Sequence, residues 1–326
     1  MLAWLAFPVI SAWAAGTADS KSSRLFLKAN EEFRVGRSSA ASALLKRAAE
    51  DGDIDAEYQL GVFYEHGLGV SHPDEAEARR WYLMAAAGGN HAAQNNLGYF
   101  YAFGRGVKKD DAEAAKWYRL AAEGGDAVAQ SNLAGLYYHG RGVPKNPALA
   151  YRWYRRSALN DNAGAKSALG FFYQEGIGVK RDYKEAFKWY LAAAESGHAF
   201  AQIKLGGMYE QGHGSIRKDY PKALEWYRKA SFNGRAIAQG KVGRFYERGW
   251  GIPKDLVEAF AWYSLSAAAG DPYARGAVNR LKLVLKPEQI EAARKRAESL
   301  RRKFAAHSTH GRGSSKKAAN DGWLPW

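Results

Sequence analysis

Cysteine is absent from the 326-residue chain. Its absence excludes disulfide bonds, thiolate metal sites and cysteine nucleophiles. Also absent are the HExxH motif of zinc proteases, the GxxxxGK(S/T) loop of nucleotide-binding proteins and the GxSxG turn of α/β-hydrolases. The sequence shows no specific nucleic-acid motif either. We therefore predict a protein with no cofactor, no metal and no catalytic residues.

Long apolar runs are lacking except at the N-terminus. Residues 1–15 are apolar throughout, but the lysine or arginine that usually precedes the apolar run of an export signal is missing. The run is too short for a transmembrane span, which needs ~20 residues, and Ala12-Trp13-Ala14 matches an A-x-A cleavage signature. We expect a signal peptide at 1–15 and a small polar linker at 16–23, with a periplasmic or secreted location. A buried N-terminal helix, with a cytoplasmic location, is the alternative.

Negative charge is scarce at the C-terminal end. Residues 281–326 carry 11 Lys and Arg against 4 Asp and Glu, a net charge of +7 within the total of +15. Such a basic end suits an anionic surface or polymer. A solvated helix followed by a frayed tail explains the same composition, and the sequence leaves both interpretations open.

The chain is dominated by a repeat of 36 or 37 residues. Three columns of equivalent positions recur with this period, which indicates a solenoid or a repeat array. We interpret all three columns as core, in preference to an aromatic platform for carbohydrate. They are Leu60, Leu97, Leu133, Leu169, Leu205 and Val242; Tyr64, Tyr101, Tyr137, Tyr173, Tyr209 and Tyr246; and Trp81, Trp117, Trp153, Trp189, Trp226 and Trp262.

Each unit predicts two helices. Ala129, Leu133 and Tyr137 are four residues apart, so they share one face of the first helix. Two glycines then end that helix and permit positive φ in the turn, and an aspartate or asparagine suits the N-cap of the second helix. The central glycine pairs are Gly104 and Gly106, Gly140 and Gly142, and Gly176 and Gly178; the predicted N-caps are Asp74, Asp110, Asn146, Asp182, Asp219 and Asp255.

The ends of the array are incomplete units, as solenoid ends usually are. Residues 25–56 predict two short helices without the glycine loop. Residues 287–304 predict a helix with one apolar and one basic face, which would cap the last repeat. The predicted all-α solenoid therefore occupies 24–305, with full repeats at about 56–270, and a basic disordered tail follows at 306–326.

The unit pattern resembles the Sel-one-like repeat (SLR) family, relatives of the tetratricopeptide repeats. The third unit carries it as Leu133, Tyr137, Gly140, Gly142 and Val143, then Ala150, Trp153, Tyr154 and Ala158, and it recurs six times. The resemblance implies a right-handed α/α superhelical solenoid and a non-enzymatic adaptor or scaffold role in protein–protein contacts. In bacteria it often implies an envelope protein in signalling or exopolysaccharide control. Some cysteine-rich relatives bind or hydrolyse β-lactams, and this cysteine-free chain departs from that subgroup.

Positions that vary while the repeat frame stays constant are the candidates for partner binding. On the first helix of each unit they precede the aliphatic anchor by one residue or follow it by two, which turns them away from the core face. We predict that they hold an extended, acidic segment of a protein partner on a concave face. The alternative is that these exposed positions vary without any role in binding. The predicted residues are Asn96, Tyr99, Asn132, Phe171, Lys204, Lys241 and Arg244, and the third unit adds Gly135, His139 and Arg141.

Two other functions remain open. Ser215-Ile216-Arg217-Lys218 matches the SxxK motif of penicillin-recognising enzymes, although their SDN and KTG motifs are missing. A β-lactam-binding or hydrolysing envelope enzyme is therefore one alternative, and a polyanion or lipid-surface binder acting through the basic end is the other. His307 and His310 have no third ligand nearby, so they do not predict a metal site.

Overall fold

The computed structural model describes residues 20–213 and 216–310. Within these ranges the chain forms sixteen α-helices and no β-strand. The helices are α1 Lys21–Arg34, α2 Ser38–Glu50, α3 Ile54–His66, α4 Glu75–Ala87, α5 His91–Phe103, α6 Asp111–Glu123, α7 Ala127–His139, α8 Pro147–Leu159, α9 Ala163–Glu175, α10 Tyr183–Glu195, α11 Ala199–Gln211, α12 Tyr220–Phe232, α13 Ala236–Arg248, α14 Leu256–Ala268, α15 Pro272–Lys282 and α16 Pro287–His310.

The described residues form two compact units, 20–160 with α1–α8 and 161–310 with α9–α16. Consecutive helices pack in pairs, α3 with α4 through α13 with α14, and these six pairs are numbered repeats 1 to 6 below. The predicted class, consecutive helix–loop–helix repeats, is confirmed. None of the described helices combines the length and the apolar character that crossing a membrane requires.

In the central repeats the core is shifted by one residue from two of the predicted columns, whereas Trp81, Trp262 and Tyr246 are buried as predicted. The aliphatic anchors Leu97, Leu133 and Leu169 are fully buried, as predicted. The other two columns are only partly buried at their central members, Tyr101, Tyr137, Tyr173, Trp117, Trp153 and Trp189. Their neighbours fill the core instead: Phe100, Leu136 and Phe172 before the tyrosines, and Tyr118, Tyr154 and Tyr190 after the tryptophans. Adjacent helical positions lie about 100° apart, so one member of each of these central pairs points more directly into the core than the other.

A glycine after the aliphatic anchor makes room for the buried tyrosine. A Cβ atom on Gly98 would lie 2.6 Å from Cδ1 of Tyr118, which is too close for any real side chain. A Cβ atom on Gly170 would likewise lie 2.6 Å from Cδ1 of Tyr190. Gly98 and Gly170 are therefore required by the tyrosines that pack across them, whereas repeat 3 buries Tyr154 with Ala134 at the equivalent position.

The predicted helix boundaries of the repeats are confirmed. Asp74, Asp110, Asn146 and their counterparts each cap a second helix by accepting a hydrogen bond from a backbone N–H. The glycine pairs all adopt positive φ, with Gly104, Gly140 and Gly176 in the left-handed region at the helix C-termini.

The ends of the array differ from the prediction in length. Helix α1 begins at Lys21 because the Ser20 side chain caps it by accepting from the Ser23 amide, so part of the predicted linker is helical. Helix α16 extends to His310, and buries Ala293, Ala297 and Leu300 in one core with residues of α14. The predicted signal peptide and residues 311–326 of the predicted tail lie outside the described residues.

One helix cap of the second unit makes stability depend on pH. His198 caps α11 by accepting a hydrogen bond through Nδ1 from the Ala201 amide, so the neutral ring is required. Burial, together with the charge of Arg235, lowers the pKa of His198 from 6.5 to about 4. The unfolded chain therefore binds an extra proton between pH 6.5 and pH 4. The stabilisation is complete above pH 6.5 and declines as the pH falls towards 4.

We expect the unfolding free energy of the second unit to drop by about 2 kcal/mol more between pH 7 and pH 4 in the native chain than in His198→Asn. Asparagine caps the equivalent helices α5 and α9 and does not titrate in this range. Urea unfolding across this pH range tests the difference, because all other titrating groups are common to both proteins. Parallel pH profiles would show that His198 does not act as a titrating cap.

Candidate functional site

Within each unit, the loop between the two glycines contacts the repeat before it. Arg105 donates to Glu75 at 2.7 Å, and Arg141 forms the same ion pair with Asp111. In the second unit, His213 stacks on Tyr183 and Trp250 stacks on Tyr220, each with ring centroids 5.2 Å apart. In these four junctions the preceding partner is the first residue of a second helix, and the contact is either an arginine–acid ion pair or an aromatic stack.

A second column places an acceptor against the buried tyrosine of the repeat. The hydroxyl of Tyr82 donates to Glu65 at 2.7 Å, that of Tyr227 to Glu210 at 2.7 Å and that of Tyr263 to Glu247 at 2.8 Å. In repeat 4, Tyr190 donates to the amide oxygen of Gln174 at 3.2 Å. An arginine completes each carboxylate cluster: Arg105 on Glu65, Arg244 on Glu210 and Arg280 on Glu247.

Repeat 2 lacks this acceptor. Ala102 stands at the position of Glu65, and a pocket opens beside it over the buried ring of Tyr118. The Tyr118 side chain is only 3% exposed, and its hydroxyl makes no hydrogen bond within the part of the chain that the structure describes. Burial raises its pKa, so the hydroxyl keeps its proton and is available as a donor. The pocket is lined by Ala102, Tyr118, Asn132, Gly135, Leu136, His139 and Arg141.

Four of the residues singled out in the third unit come together in this pocket. Asn132, Gly135, His139 and Arg141 all line it, and Asn132 also donates to Oδ1 of Asn95 at 3.2 Å. Burial and the charges of Arg141 and Lys145 lower the pKa of His139, which indicates a positive local field.

The two other predicted residues of the first unit differ in accessibility. Tyr99 is 38% exposed and packs on Phe103, itself 39% exposed, with ring centroids 4.4 Å apart. The guanidinium of Arg105 lies 5.8 Å from the Tyr99 ring. Asn96 is half-buried, and its side chain lowers the pKa of the Tyr58 and Tyr82 hydroxyls, which places it close to both of them. Asn96 therefore belongs to the packing of repeat 1 more than to an open surface.

In the second unit, the predicted basic residues are partly neutralised. Lys241 lies 3.7 Å from Glu210, and Arg244 forms an ion pair with the same carboxylate. Lys204 sits over the Phe200 ring at 5.1 Å, and Phe171 is partly buried against the core of α10 and α11. The open basic surface that we predicted at Lys241 and Arg244 is thus corrected to a charge-balanced cluster around Glu210.

Sequence reasoning missed Ala102, Tyr118, Phe103 and Glu210. Tyr118 was not predicted as a core residue because it follows Trp117, which recurs in every repeat and was assigned to the core instead. Ala102 is an ordinary helix former and attracts no notice by itself. The missing acceptor becomes visible only when equivalent positions are compared across the six repeats, which are Glu65, Ala102, Tyr138, Gln174, Glu210 and Glu247.

The structure adds little support for the other candidate sites, which are the SxxK motif, a metal site and the basic C-terminal end. Ser215 lies outside the described residues, and the motif's remaining residues form a loop between α11 and α12. No group of three or more potential metal ligands occurs among the described residues. On α16, the basic residues Arg301, Arg302 and Lys303 are exposed, whereas Arg296 forms an ion pair with Glu258 at 2.5 Å.

Comparison with known proteins places the repeats in a family. Six segments match the Sel1 repeat model, at residues 54–90, 91–126, 127–162, 163–198, 199–231 and 236–271. The structure resembles a Sel1 repeat protein from Oxalobacter formigenes with a TM-score of 0.68 and 34% identity, over 74% of this chain and 96% of the other.

A second solved structure is a protective antigen of uropathogenic Escherichia coli strains with an SLR fold. The TM-score is 0.70 with 32% identity, over 87% of this chain and 61% of the antigen. Among curated proteins, the human protein sel-1 homolog 2 is 36% identical over 75 residues, which is 23% of this chain. The match spans only 11% of that human protein.

Proposed function

This chain belongs to the Sel1 repeat family, and from that membership we propose that it is a non-enzymatic adaptor that binds a segment of a partner protein. Sel1 repeat proteins generally act in protein–protein interaction, as non-enzymatic adaptors. The proposal assigns this work to the surface of the first unit around the pocket of repeats 2 and 3. We call the surface formed by Tyr99, Phe103 and the pocket-lining residues the repeat 2–3 site.

The exposed pair Tyr99 and Phe103 carries the proposal. Two large aromatic rings, each more than a third exposed, stand at the end of α5 beside a pocket. Tyrosine and other aromatic residues dominate the binding energy of protein interfaces because they bury much surface at a small entropic cost. A pocket next to such rings can anchor one side chain of a bound segment while the rings cover its neighbours.

We further propose that the adaptor works in the bacterial envelope, in the periplasm or outside the cell, in a process such as signalling or exopolysaccharide regulation. Two observations support this location. The first 15 residues have the composition of an export signal, and the E. coli relative described above is a protective antigen.

Replacing both rings, as Tyr99→Ala with Phe103→Ala, is expected to reduce capture of the native partner at least tenfold, because the partner loses its main apolar contact. The full-length chain would be immobilised and exposed to an envelope extract of the source organism. Quantitative mass spectrometry would then compare the native chain with the variant.

Tyr273→Ala is the matched control, since it removes a tyrosine that is 57% exposed in the second unit. A partner retained by the control and lost by the double variant supports the proposal, provided that both variants keep the helical circular dichroism of the native chain. Equal capture by all three proteins would move the binding surface away from the repeat 2–3 site.

A further inference from the structure

Two corresponding clusters in the first unit differ by a single carboxylate. The first contains Glu65, Glu75, Tyr82 and Arg105, in which Arg105 pairs with both carboxylates and Tyr82 donates to Glu65. One repeat later, the corresponding residues are Ala102, Asp111, Tyr118 and Arg141. Asp111 keeps the role of Glu75 by pairing with Arg141. The counterpart of Glu65 is missing.

The pocket lies where that missing side chain would be. Ala102 forms part of its wall, and the pocket encloses about 290 Å³ including its open mouth. The donor beneath it, Tyr118, is buried and without a hydrogen-bond partner among the described residues, whereas four equivalent tyrosines donate to an acceptor from their own repeat. A hydroxyl donor without an acceptor from its own repeat can donate to an incoming acceptor, which favours an acceptor in the pocket.

We propose that the pocket binds the side-chain carboxylate of a glutamate in the partner segment. The guest glutamate occupies the place that Glu65, Glu210 and Glu247 hold in their own repeats. Its aliphatic stem contacts Ala102 and Leu136, and its carboxylate accepts from the Tyr118 hydroxyl. This inference rests on the adaptor function proposed above and specifies the chemistry of the partner at the repeat 2–3 site.

The electrostatics of the site accommodate a second carboxylate. The negative charge of Asp111 acts on Tyr118, and Asp111 forms an ion pair with Arg141 as Glu75 does with Arg105. The first cluster shows that this fold holds two carboxylates around one arginine and one tyrosine hydroxyl. Lys145 and Arg141 make the field at His139 positive, which also favours an anion.

The test uses terminally blocked 12-residue peptides with one fixed central glutamate and randomised flanks, displayed on an array and probed with the full-length chain. Peptides that bind are then compared by fluorescence polarisation with versions in which glutamine replaces the glutamate. We expect glutamine to weaken binding about tenfold or more, because a hydrogen bond to a charged group is lost. In Tyr118→Phe, the preference for glutamate over glutamine should disappear.

Ala102→Glu supplies the missing carboxylate from the chain itself. We expect it to abolish peptide binding while the melting temperature stays equal or rises, since the new side chain fills the pocket and accepts from Tyr118. Tyr190→Phe is the matched control, because it removes a buried hydroxyl in the second unit and should leave peptide binding unchanged.

Equal binding of the glutamate and glutamine peptides overturns the proposal, as does unchanged binding by Ala102→Glu. Binding of a glutamine peptide through a free C-terminal carboxylate, or equal competition by glutarate, would assign the pocket to a different source of carboxylate and also overturn it. If the native partner is captured through Tyr99 and Phe103 but Ala102→Glu captures it equally well, the glutamate inference fails and the adaptor function stands.

Discussion

Gly142→Ala is expected to lower the unfolding free energy of the first unit by about 4 kcal/mol. Two costs combine at this position. Gly142 has φ +65°, a conformation that costs an L-residue about 1–2 kcal/mol. A Cβ atom there would also lie 2.0 Å from the backbone oxygen of Asp111, at the start of α6. Backbone atoms at a helix start cannot move aside as a flexible side chain can, so the junction between repeats 2 and 3 must open.

Gly125→Ala separates these two costs. Gly125 also has a positive φ, +98°, but a Cβ atom on it would meet nothing within 4 Å. We expect this control to lose only the conformational part, about 1–2 kcal/mol. Urea unfolding followed by circular dichroism measures both variants. Equal losses in the two variants would mean that the close approach to Asp111 contributes nothing.

Glu210→Ala is expected to destabilise the second unit by about 3 kcal/mol. The Glu210 carboxylate accepts from Tyr227 and pairs with Arg244 and Lys241, and its side chain is only 10% exposed. Removing it leaves a buried hydroxyl and two partly buried cations without their acceptor. The loss therefore far exceeds the ~0–1 kcal/mol of an ordinary surface ion pair.

Two controls calibrate this result. Glu210→Gln keeps an acceptor for Tyr227, as Gln174 does for Tyr190, and we expect a loss of about 1 kcal/mol. Glu225→Ala removes a carboxylate that is 59% exposed and pairs with Lys229, and should cost about 0.5 kcal/mol or less. If Glu210→Ala were as mild as Glu225→Ala, the cluster would be a surface feature without energetic weight.

The period of the sequence was sufficient to predict the fold, because helix phase, caps and glycine turns all recur together. Leu133, Asn146 and Gly140 each have the burial, capping or φ that their position predicts. What the period could not supply was the choice between adjacent aromatic residues. Trp117 and Tyr118 are both aromatic and both recur, and the packing of Tyr118 across Gly98 is visible only in the structure.

The candidate site was partly predictable for a related reason. Looking for positions that vary within a constant frame identified Tyr99 and the pocket residues Asn132, Gly135, His139 and Arg141. The same approach overstated the free positive charge at Lys241 and Arg244, because it considered one repeat at a time. Their acceptor, Glu210, lies in the preceding repeat. Ion pairs between neighbouring repeats depend on two varying positions at once, and a single position does not reveal them.

The matched junctions between repeats also carry information about serial order. Arg105 faces an acid, Arg141 faces an acid, His213 faces a tyrosine and Trp250 faces a tyrosine. Moving the loop of repeat 6 behind repeat 1 would place an indole against Glu75, and the reverse exchange would leave a guanidinium on an aromatic ring. A guanidinium on an aromatic ring is a favourable contact, so recombination breaks a junction when it puts an aromatic loop against an acidic partner. Exchanging the loops of repeats 2 and 3, or those of repeats 5 and 6, would keep the same type of contact. The type of each junction therefore constrains how such an array can gain or lose units in evolution.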